Sequence, residues 1–404
     1  MIIFIIHHMR YRKPRTRGDS LGQFFTPTEI ASLLANGLKR MPGSILELGA
    51  GRGALASAVL SRFPDTQATL VELDGKLLRH LRRTYVGHRV LGGDVLAQLG
   101  RMRLDDAYDT VIGNPPFGEF AVKAIDQLAL RSRFPGCDRG GWIRQDLAFL
   151  HESWSRVASG GEMAIVLASP IICDPAFMGV RRWLLSEAGH VSVCELPEKT
   201  FEDAEVGTHL LTLRHRGRGR RARTVLLDRY LGDDRHQERI EISVEAAIQR
   251  MDHRFNKIRT TAGKKWSKAP SLESLGAHIV RGSRSHGDFE QAGIPHIHTT
   301  DFTDDTVRMR LGRHQAEGVQ LARTGDILVP RVGSRCLLRE AMVVSGTQPI
   351  TEAVYRIRVT PAIRSRVFDA LGSKSGRLWR QAHARGSCAK HLTIGDVLQL
   401  PVAP

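Results

Sequence analysis

Cysteine is scarce and scattered in this chain of 404 residues. Its five positions, 137, 173, 194, 336 and 388, form no Cys-x-x-Cys pair and no mixed His/Cys ligand spacing. That argues against a disulfide scaffold and against a structural metal, and for reduced thiols in a cytoplasmic setting. Long apolar runs are missing too. The longest near the start covers residues 2–6, too short to cross a bilayer and without a basic region before it. No membrane segment is expected, and Met9 offers an alternative start. There is no Gly-x-x-x-x-Gly-Lys-Ser/Thr loop, no internal repeat, and no His/Asp/Ser set that suggests a nucleophilic triad in the first 240 residues. Acidic residues are in deficit: 42 Asp and Glu stand against 59 Lys and Arg, a net charge of +17. Such an excess points to a polyanionic partner, most simply nucleic acid.

The excess is uneven. Residues 1–250 carry 35 Lys and Arg against 29 Asp and Glu, whereas residues 251–404 carry 24 against 13. The smaller C-terminal part therefore holds most of the net charge. Residues 1–19 read as a flexible basic arm. From residue 20 to about 240, apolar runs alternate with amphipathic stretches: a helix over 29–41 capped by Thr28, a strand with its Gly-rich turn over 44–51, strands at 67–74, 88–94, 108–114 and 161–170, and helices between them. This alternation predicts an α/β fold with a mostly parallel, doubly wound sheet. The basic stretch 214–223 reads as a turn between two β-like runs, a hairpin tip touching phosphate or a solvated loop. Residues 241–270 are polar and helix-prone and read as a linker. Residues 271–404 carry short β-like runs flanked by Gly, Pro and Asp, which predict a smaller α+β or mostly β domain.

Chemistry concentrates in the first domain. The stretch Val111-Ile112-Gly113-Asn114-Pro115-Pro116-Phe117-Gly118 ends an apolar run in an amide, two prolines and an aromatic ring. Prolines cannot continue a sheet ladder, and the residue before each is pushed away from helical space. Asn114 and Phe117 are thus held rigidly at a strand's carboxyl end, where open parallel sheets bind ligands; a plain Asn/Pro turn is the competing reading. Upstream, Gly49-x-Gly51-x-Gly53 follows a strand and precedes a helix, which permits a tight turn and close approach of backbone to ligand. Glu72 or Asp74 closes the second strand, placed to bind ribose hydroxyls, and Asp94 closes the third, placed to take an adenine amine. Simple strand capping is the alternative for each acid alone. A nucleoside site with no phosphate cradle points to S-adenosylmethionine.

These motifs resemble, in content and order, the gamma class of adenine-specific DNA amino-methyltransferases. The likeness covers roughly residues 20–230: "GQFFTPTEIASLLA" upstream, then "LELGAG", "VELD", "GGD", "GNPPF", "DLAFLHESW", "GGEMAIVLASP" and "TFEDAEVGTHLLTL". It implies a Rossmann-like fold, S-adenosylmethionine as cofactor, and an enzyme that flips an adenine out of double-stranded DNA. By the same resemblance Phe25, Thr26, Glu47, Gly49, Gly51, Glu72, Asp94 and Asn114 hold the cofactor. Asn114, Pro115, Pro116 and Phe117 form the catalytic motif. Phe117 stacks on the target base and Phe201 meets its edge, while Phe149 reads as a core helix residue. Two acceptors, the Asn114 side-chain oxygen and the Pro115 carbonyl, would return electron density to a delocalised amine.

Residues 271–404 resemble, more loosely, target-recognition domains of methyltransferases and of type I specificity subunits, on "LESLGAHIVRG", "GIPHIHTTDF" and "RTGDILVPRVGS". Arg281, Arg284, Arg331 and Arg335 are the candidate DNA contacts. With both domains assigned, no stretch remains for a nuclease, which implies a monomeric modification enzyme that either pairs with a separately encoded restriction endonuclease or acts alone. Two rivals stand beside this reading: an RNA base methyltransferase using the same Asn-Pro-Pro-Phe motif, and a catalytically silent DNA-binding relative.

Overall fold

The structure is a computed structural model that describes residues 11–12, 24–96, 104–105, 107–121, 142–197, 200–201, 207–233, 235–236, 238–266, 269–303, 308–333, 335–385 and 390–402. Most of the basic arm, residues 22–23 of the upstream segment, Cys137, Cys388 and residues 202–206 of the late segment lie outside the described residues. The chain divides into two compact units, Met1–His253 and Arg254–Pro404. No helix among the described residues is long and apolar enough to cross a membrane.

In the first unit β1 (Tyr11–Arg12), β6 (Glu119–Ala121) and β7 (Trp142–Arg144) form a small sheet in the order β1-β6-β7. The large sheet comprises β2 (Ser44–Leu48), β3 (Gln67–Glu72), β4 (Arg89–Gly92), β5 (Tyr108–Gly113), β8 (Val157–Ala168), β9 (Ala188–Glu195), β10 (Thr208–His215), β11 (Thr224–Gly232), β12 (Arg235–His236) and β13 (Ile240–Ser243). Its order is β12-β11-β9-β10-β8-β5-β2-β3-β4, with β13 on β11. The run from β4 to β8 is parallel throughout, as expected. β10 enters antiparallel between β8 and β9, and β11 lies parallel to β9.

Both faces of this sheet are covered, which is why its strands read as continuous apolar runs. The helices are α1 (Thr28–Gly37), α2 (Ala54–Arg62), α3 (Gly75–Thr84), α4 (Gln145–Ser155), α5 (Ser169–Cys173), α6 (Met178–Glu187) and α7 (Val244–Gln249), with α8 (His253–Trp266) at the division between units. Successive strand residues separate onto the two faces. Ile45, Leu70, Ile112 and Val166 pack with Ile30, Leu34, Leu55, Val59 and Leu81 of α1 to α3. Leu46, Val71, Val111, Met163 and Ile165 pack with Leu147 and Leu150 of α4 and Leu184 of α6. Burying each such side chain contributes about 1.5–3 kcal/mol.

Three expectations change. Thr28 is the first residue of α1 and not its cap; Pro27 occupies the cap position without a side-chain hydrogen bond. Proline takes that place because its fixed φ suits a helix entry and a cap needs no N–H. Residues 216–223 are not a hairpin tip, since β10 and β11 are not neighbours; this stretch carries the chain past β9. Residues 241–270 contain the division between the two units, after His253, and carry regular structure. They hold the end of β13, which pairs with β11, then α7 and α8, and Ala247 and Met251 are buried in the first unit's core.

The second unit has a mostly antiparallel sheet of β14 (His278–Arg281), β15 (Arg308–Arg313), β16 (Leu321–Arg323), β17 (Ile327–Pro330), β18 (Ala341–Pro349) and β19 (Val354–Arg358). The order is β14-β19-β17-β18-β15, with β16 also on β18. Its helices are α9 (His286–Gln291), α10 (Pro361–Gly372), α11 (Lys374–His383) and α12 (Ile394–Leu398). Arg380 of α11 is fully buried; it donates to the carbonyls of Leu337, Leu338, Arg339 and Leu371 and pairs with Glu340. A charge this deep is tolerable because nearly every donor is satisfied.

Candidate active site

The carboxyl ends of β2, β3, β4 and β5 converge on one cleft. Between β2 and α2 the chain turns through Gly49, Gly51 and Gly53, at φ of 70°, 57° and 81°. These left-handed angles favour glycine. A Cβ on Gly53 would also sit 2.5 Å from the Tyr85 hydroxyl, which donates to the Gly53 carbonyl at 2.6 Å. The turn is thereby locked from below, while its upper side faces the cleft.

The cleft has two adjoining lobes. One, open to solvent, is lined by residues that include Glu72, Asp94, Leu96, Pro116, Gln145 and Phe149. The other is lined by residues that include Thr26, Glu47, Arg52 and Ala54. Phe24, Phe25, Gly49, Gly51 and Asn114 border both lobes. Phe25 is exposed, with the Arg52 guanidinium 4.2 Å from its ring centroid.

Asn114 stands at the junction, directly after β5. Its Nδ2 donates to the Phe24 carbonyl and to Thr26 Oγ1, both at 3.0 Å. A carbonyl can only accept, so this pair fixes which way the amide points. The remaining oxygen, Oδ1, is buried and has no hydrogen-bond partner. An orphaned buried acceptor costs about 1–3 kcal/mol, and it is usually kept for a reason. Pro115 is buried and Pro116 half-buried. Phe117 and Phe201 are both buried, their centroids 6.4 Å apart and their planes at 81°, and Phe24 lies 5.5 Å from Phe117 on another side. The structure thus brings Thr26, Asn114, Phe117 and Phe201 to one corner.

The carboxylates separate by role. Glu72, 2% exposed, accepts from the Gly51 N–H through Oε2 and from the Asp74 N–H through Oε1, each at 2.7 Å. Asp74 turns away and caps α3, accepting from Lys76 and Leu77; those two N–H groups hold its carboxyl below the usual range. Of the two acids that close β3, Glu72 therefore faces the cleft. Asp94 lines the same lobe, and its Oδ1 accepts from Leu96 N at 2.9 Å. Phe149 is both core and floor: it is buried, and its Cε1 lies 3.3 Å from where a Gly49 Cβ would be.

Glu47, 3% exposed, accepts from the Ala56 N–H at 3.1 Å. Burial pushes its carboxyl up to about 8, the Ala56 N–H pulls it back, and the Glu72 charge adds a smaller rise. The folded chain therefore keeps this proton to about pH 8, whereas the unfolded chain releases it near pH ~4.3. The stabilising contribution is fully present below the lower value and is lost as pH rises through the upper one. Glu47→Gln should flatten the decline in melting temperature of the unliganded protein between about pH 5 and 8. Thermal unfolding of wild type and variant across that range checks it, and parallel slopes would refute it.

Sequence reasoning passed over Gln145 and the Phe24 carbonyl. Gln145 opens α4 one turn before Phe149 and is 3% exposed, so its i, i+4 relation to an aromatic was the available signal. In the second unit, three of the four candidate arginines meet at Glu352. Arg281 Nη2 pairs with its carboxylate at 2.6 Å, Arg331 Nε donates to its carbonyl at 2.8 Å, and its N–H donates to the Arg284 carbonyl at 2.8 Å. Arg335 is exposed and is not part of that set. Among the described residues one group of possible metal donors gathers, Cys194, Asp228 and His236. Asp228 Oδ2 already takes His236 Nδ1 at 3.0 Å and Arg239 Nη2 at 3.1 Å, so the group reads as an ion-paired clasp on the sheet edge.

Residues 29–131 match the family described as Methyltransferase small domain, and residues 83–278 the one described as N-6 DNA Methylase. Ribosomal RNA small subunit methyltransferase C of Haemophilus influenzae is 28% identical over 31% of this chain and 38% of its own length. The Type I restriction enzyme MpnII methylase subunit of Mycoplasma pneumoniae is 23% identical over 49% of this chain and 41% of its own. The chain thus spans about two fifths of the length of these relatives. Among solved structures, the type IIG restriction endonuclease BpuSI superposes with a TM-score of 0.50 at 11% identity, covering 95% of this chain and 59% of that one. That is a likeness of fold.

Proposed function

We propose, from the premise that this chain is an S-adenosylmethionine-dependent methyltransferase, that it methylates the exocyclic amine of an adenine flipped out of duplex DNA. When bound, S-adenosylmethionine supplies a methyl group on a sulfonium. Glu72 accepts from the ribose hydroxyls, Asp94 from the purine amine, and the Thr26–Glu47 lobe takes the methionine part. Asn114 Oδ1 and the Pro115 carbonyl each accept one hydrogen of the target amine. They draw density onto its nitrogen as the N–C bond forms and the C–S bond breaks with its pair to sulfur; the surplus proton leaves to solvent. Phe117 stacks on the base and Phe201 meets its edge, which accords with their perpendicular rings; an entering base displaces their present contact. Flipping costs a few kcal/mol.

The observation that carries this reading is the buried, unpartnered Asn114 Oδ1 at the edge of a cleft lined by Glu72 and Asp94. Residues 20–240 act as the catalytic domain and 271–404 as a target-recognition domain, whose basic excess would bind phosphates in a salt-dependent way. Arg281, Arg284, Arg331 and Arg335 are its candidate DNA contacts. DNA modification, as one half of a restriction–modification pair or alone, is the role this implies. The ribosomal RNA relative supports a second reading, methylation of a structured RNA base. Label transfer from methyl-labelled cofactor to duplex DNA and to small-subunit ribosomal RNA, followed by nucleoside analysis, separates them. N6-methyladenine in DNA is the expected product. Label in RNA alone selects the second reading, and no transfer to either leaves a silent DNA-binding relative.

A further inference from the structure

The cleft holds a second orphaned acceptor. Gln145 is 3% exposed and lines the lobe that contains Asp94 and Phe149, yet its Oε1 has no hydrogen-bond partner. Its backbone N–H donates to the Gly118 carbonyl at 2.8 Å, which ties the start of α4 to the end of the Asn-Pro-Pro-Phe corner. Gln145 is absent from the other lobe, where Thr26, Glu47 and Arg52 gather. The orphan therefore belongs to the nucleoside end and not to the methionine end.

We infer that Gln145 is a specificity residue for the cofactor's purine, its Oε1 accepting one hydrogen of the 6-amino group while Asp94 accepts the other. The inference rests on the cofactor reading above. An amine has two hydrogens, and this lobe presents two acceptors near one aromatic floor. A carboxamide suits an adenine edge because it offers an acceptor to the amine and a donor to a neighbouring ring nitrogen. A 6-oxo purine would instead turn a carbonyl toward both acceptors. Sites built to hydrogen-bond one polar group reject analogues that lack it far better than apolar pockets do. The placement also explains why a glutamine is kept without a partner inside a packed helix end: its partner arrives with the ligand.

The test is binding of S-adenosylhomocysteine and of its deaminated analogue, S-inosylhomocysteine, to the full chain by calorimetry. Wild type should prefer the adenosyl ligand by at least about 100-fold. Gln145→Leu and Gln145→Met remove the acceptor at similar volume. Each should weaken adenosyl binding by about tenfold or more, leave inosyl binding nearly unchanged, and so compress the preference. Because the variant loses an unsatisfied buried acceptor, its unliganded melting temperature should hold or rise, which a merely structural glutamine would not allow. Undiminished preference in both variants overturns this inference alone. Failure of wild type to bind S-adenosylhomocysteine overturns the cofactor reading, and this inference with it.

Discussion

Asn114→Ala is expected to lower kcat for methyl transfer by about 100- to 1,000-fold, the cost of about 3–4 kcal/mol when one preorganised group facing developing charge is removed. Asn114 works through both ends of its amide. Oδ1 has no partner and, in the proposed reading, would accept from the target amine, while Nδ2 holds the Phe24 carbonyl and Thr26 at the border of the two lobes. Alanine removes the acceptor and leaves the other two groups unpaired. Cofactor affinity should fall less, about tenfold, since ribose and purine contacts remain. Asn114→Asp separates the two duties. A carboxylate still accepts, and Thr26 can turn its hydroxyl to donate, but the Phe24 carbonyl then meets an oxygen. Activity between alanine and wild type is expected. Single-turnover methyl transfer with cofactor binding measured separately decides the matter, and an alanine variant within tenfold of wild-type kcat would sink the catalytic reading.

How much of this was legible in the sequence depends on how local the signal is. Ile45 against Leu46, and Val111 against Ile112, alternate between two buried faces, and their apolar runs announced a covered parallel sheet. The Asn-Pro-Pro corner was legible because proline acts through its own backbone. Strand direction was not: nothing in Thr208–His215 marks it as the antiparallel insertion between β8 and β9, because apolar content is blind to polarity. Nor could the sequence choose between Glu72 and Asp74, two acids two residues apart. The fold separated them, bending one back to Gly51 and spending the other on the first turn of α3. Gln145 stayed hidden for the same reason. Its meaning lies in an unfilled hydrogen bond, which exists only once α4 is packed beside the cleft. The division between units does fall within 241–270, but the structure there was not legible, because β13 borrows its partner from β11, a pairing that composition cannot report.

Glu72 should be the residue whose loss most weakens cofactor binding, and its amide should be nearly as damaging as its deletion. Both oxygens are already engaged, one by the Gly51 N–H and one by the Asp74 N–H. Each oxygen keeps lone-pair capacity, so the carboxylate can strap the glycine turn to the end of β3 and still accept two ribose hydroxyls. Glu72→Gln offers one acceptor in place of two and turns an NH2 group against a backbone N–H. Whichever way that amide faces, one of the two N–H groups is lost. Hydrogen bonds to a charged acceptor contribute roughly 1.5–3 kcal/mol each. Glu72→Ala, which removes the strap and both ribose acceptors, should therefore raise Kd for S-adenosylhomocysteine at least about 100-fold, with Glu72→Gln within tenfold of that. Asp74→Ala is the contrast: it removes a helix cap and should lower the melting temperature while leaving Kd nearly intact. Calorimetry on the three variants reads all of this at once. A Glu72→Gln protein that binds like wild type would mean that the carboxylate does not hold the ribose, and that the acid at the end of β3 serves the turn alone.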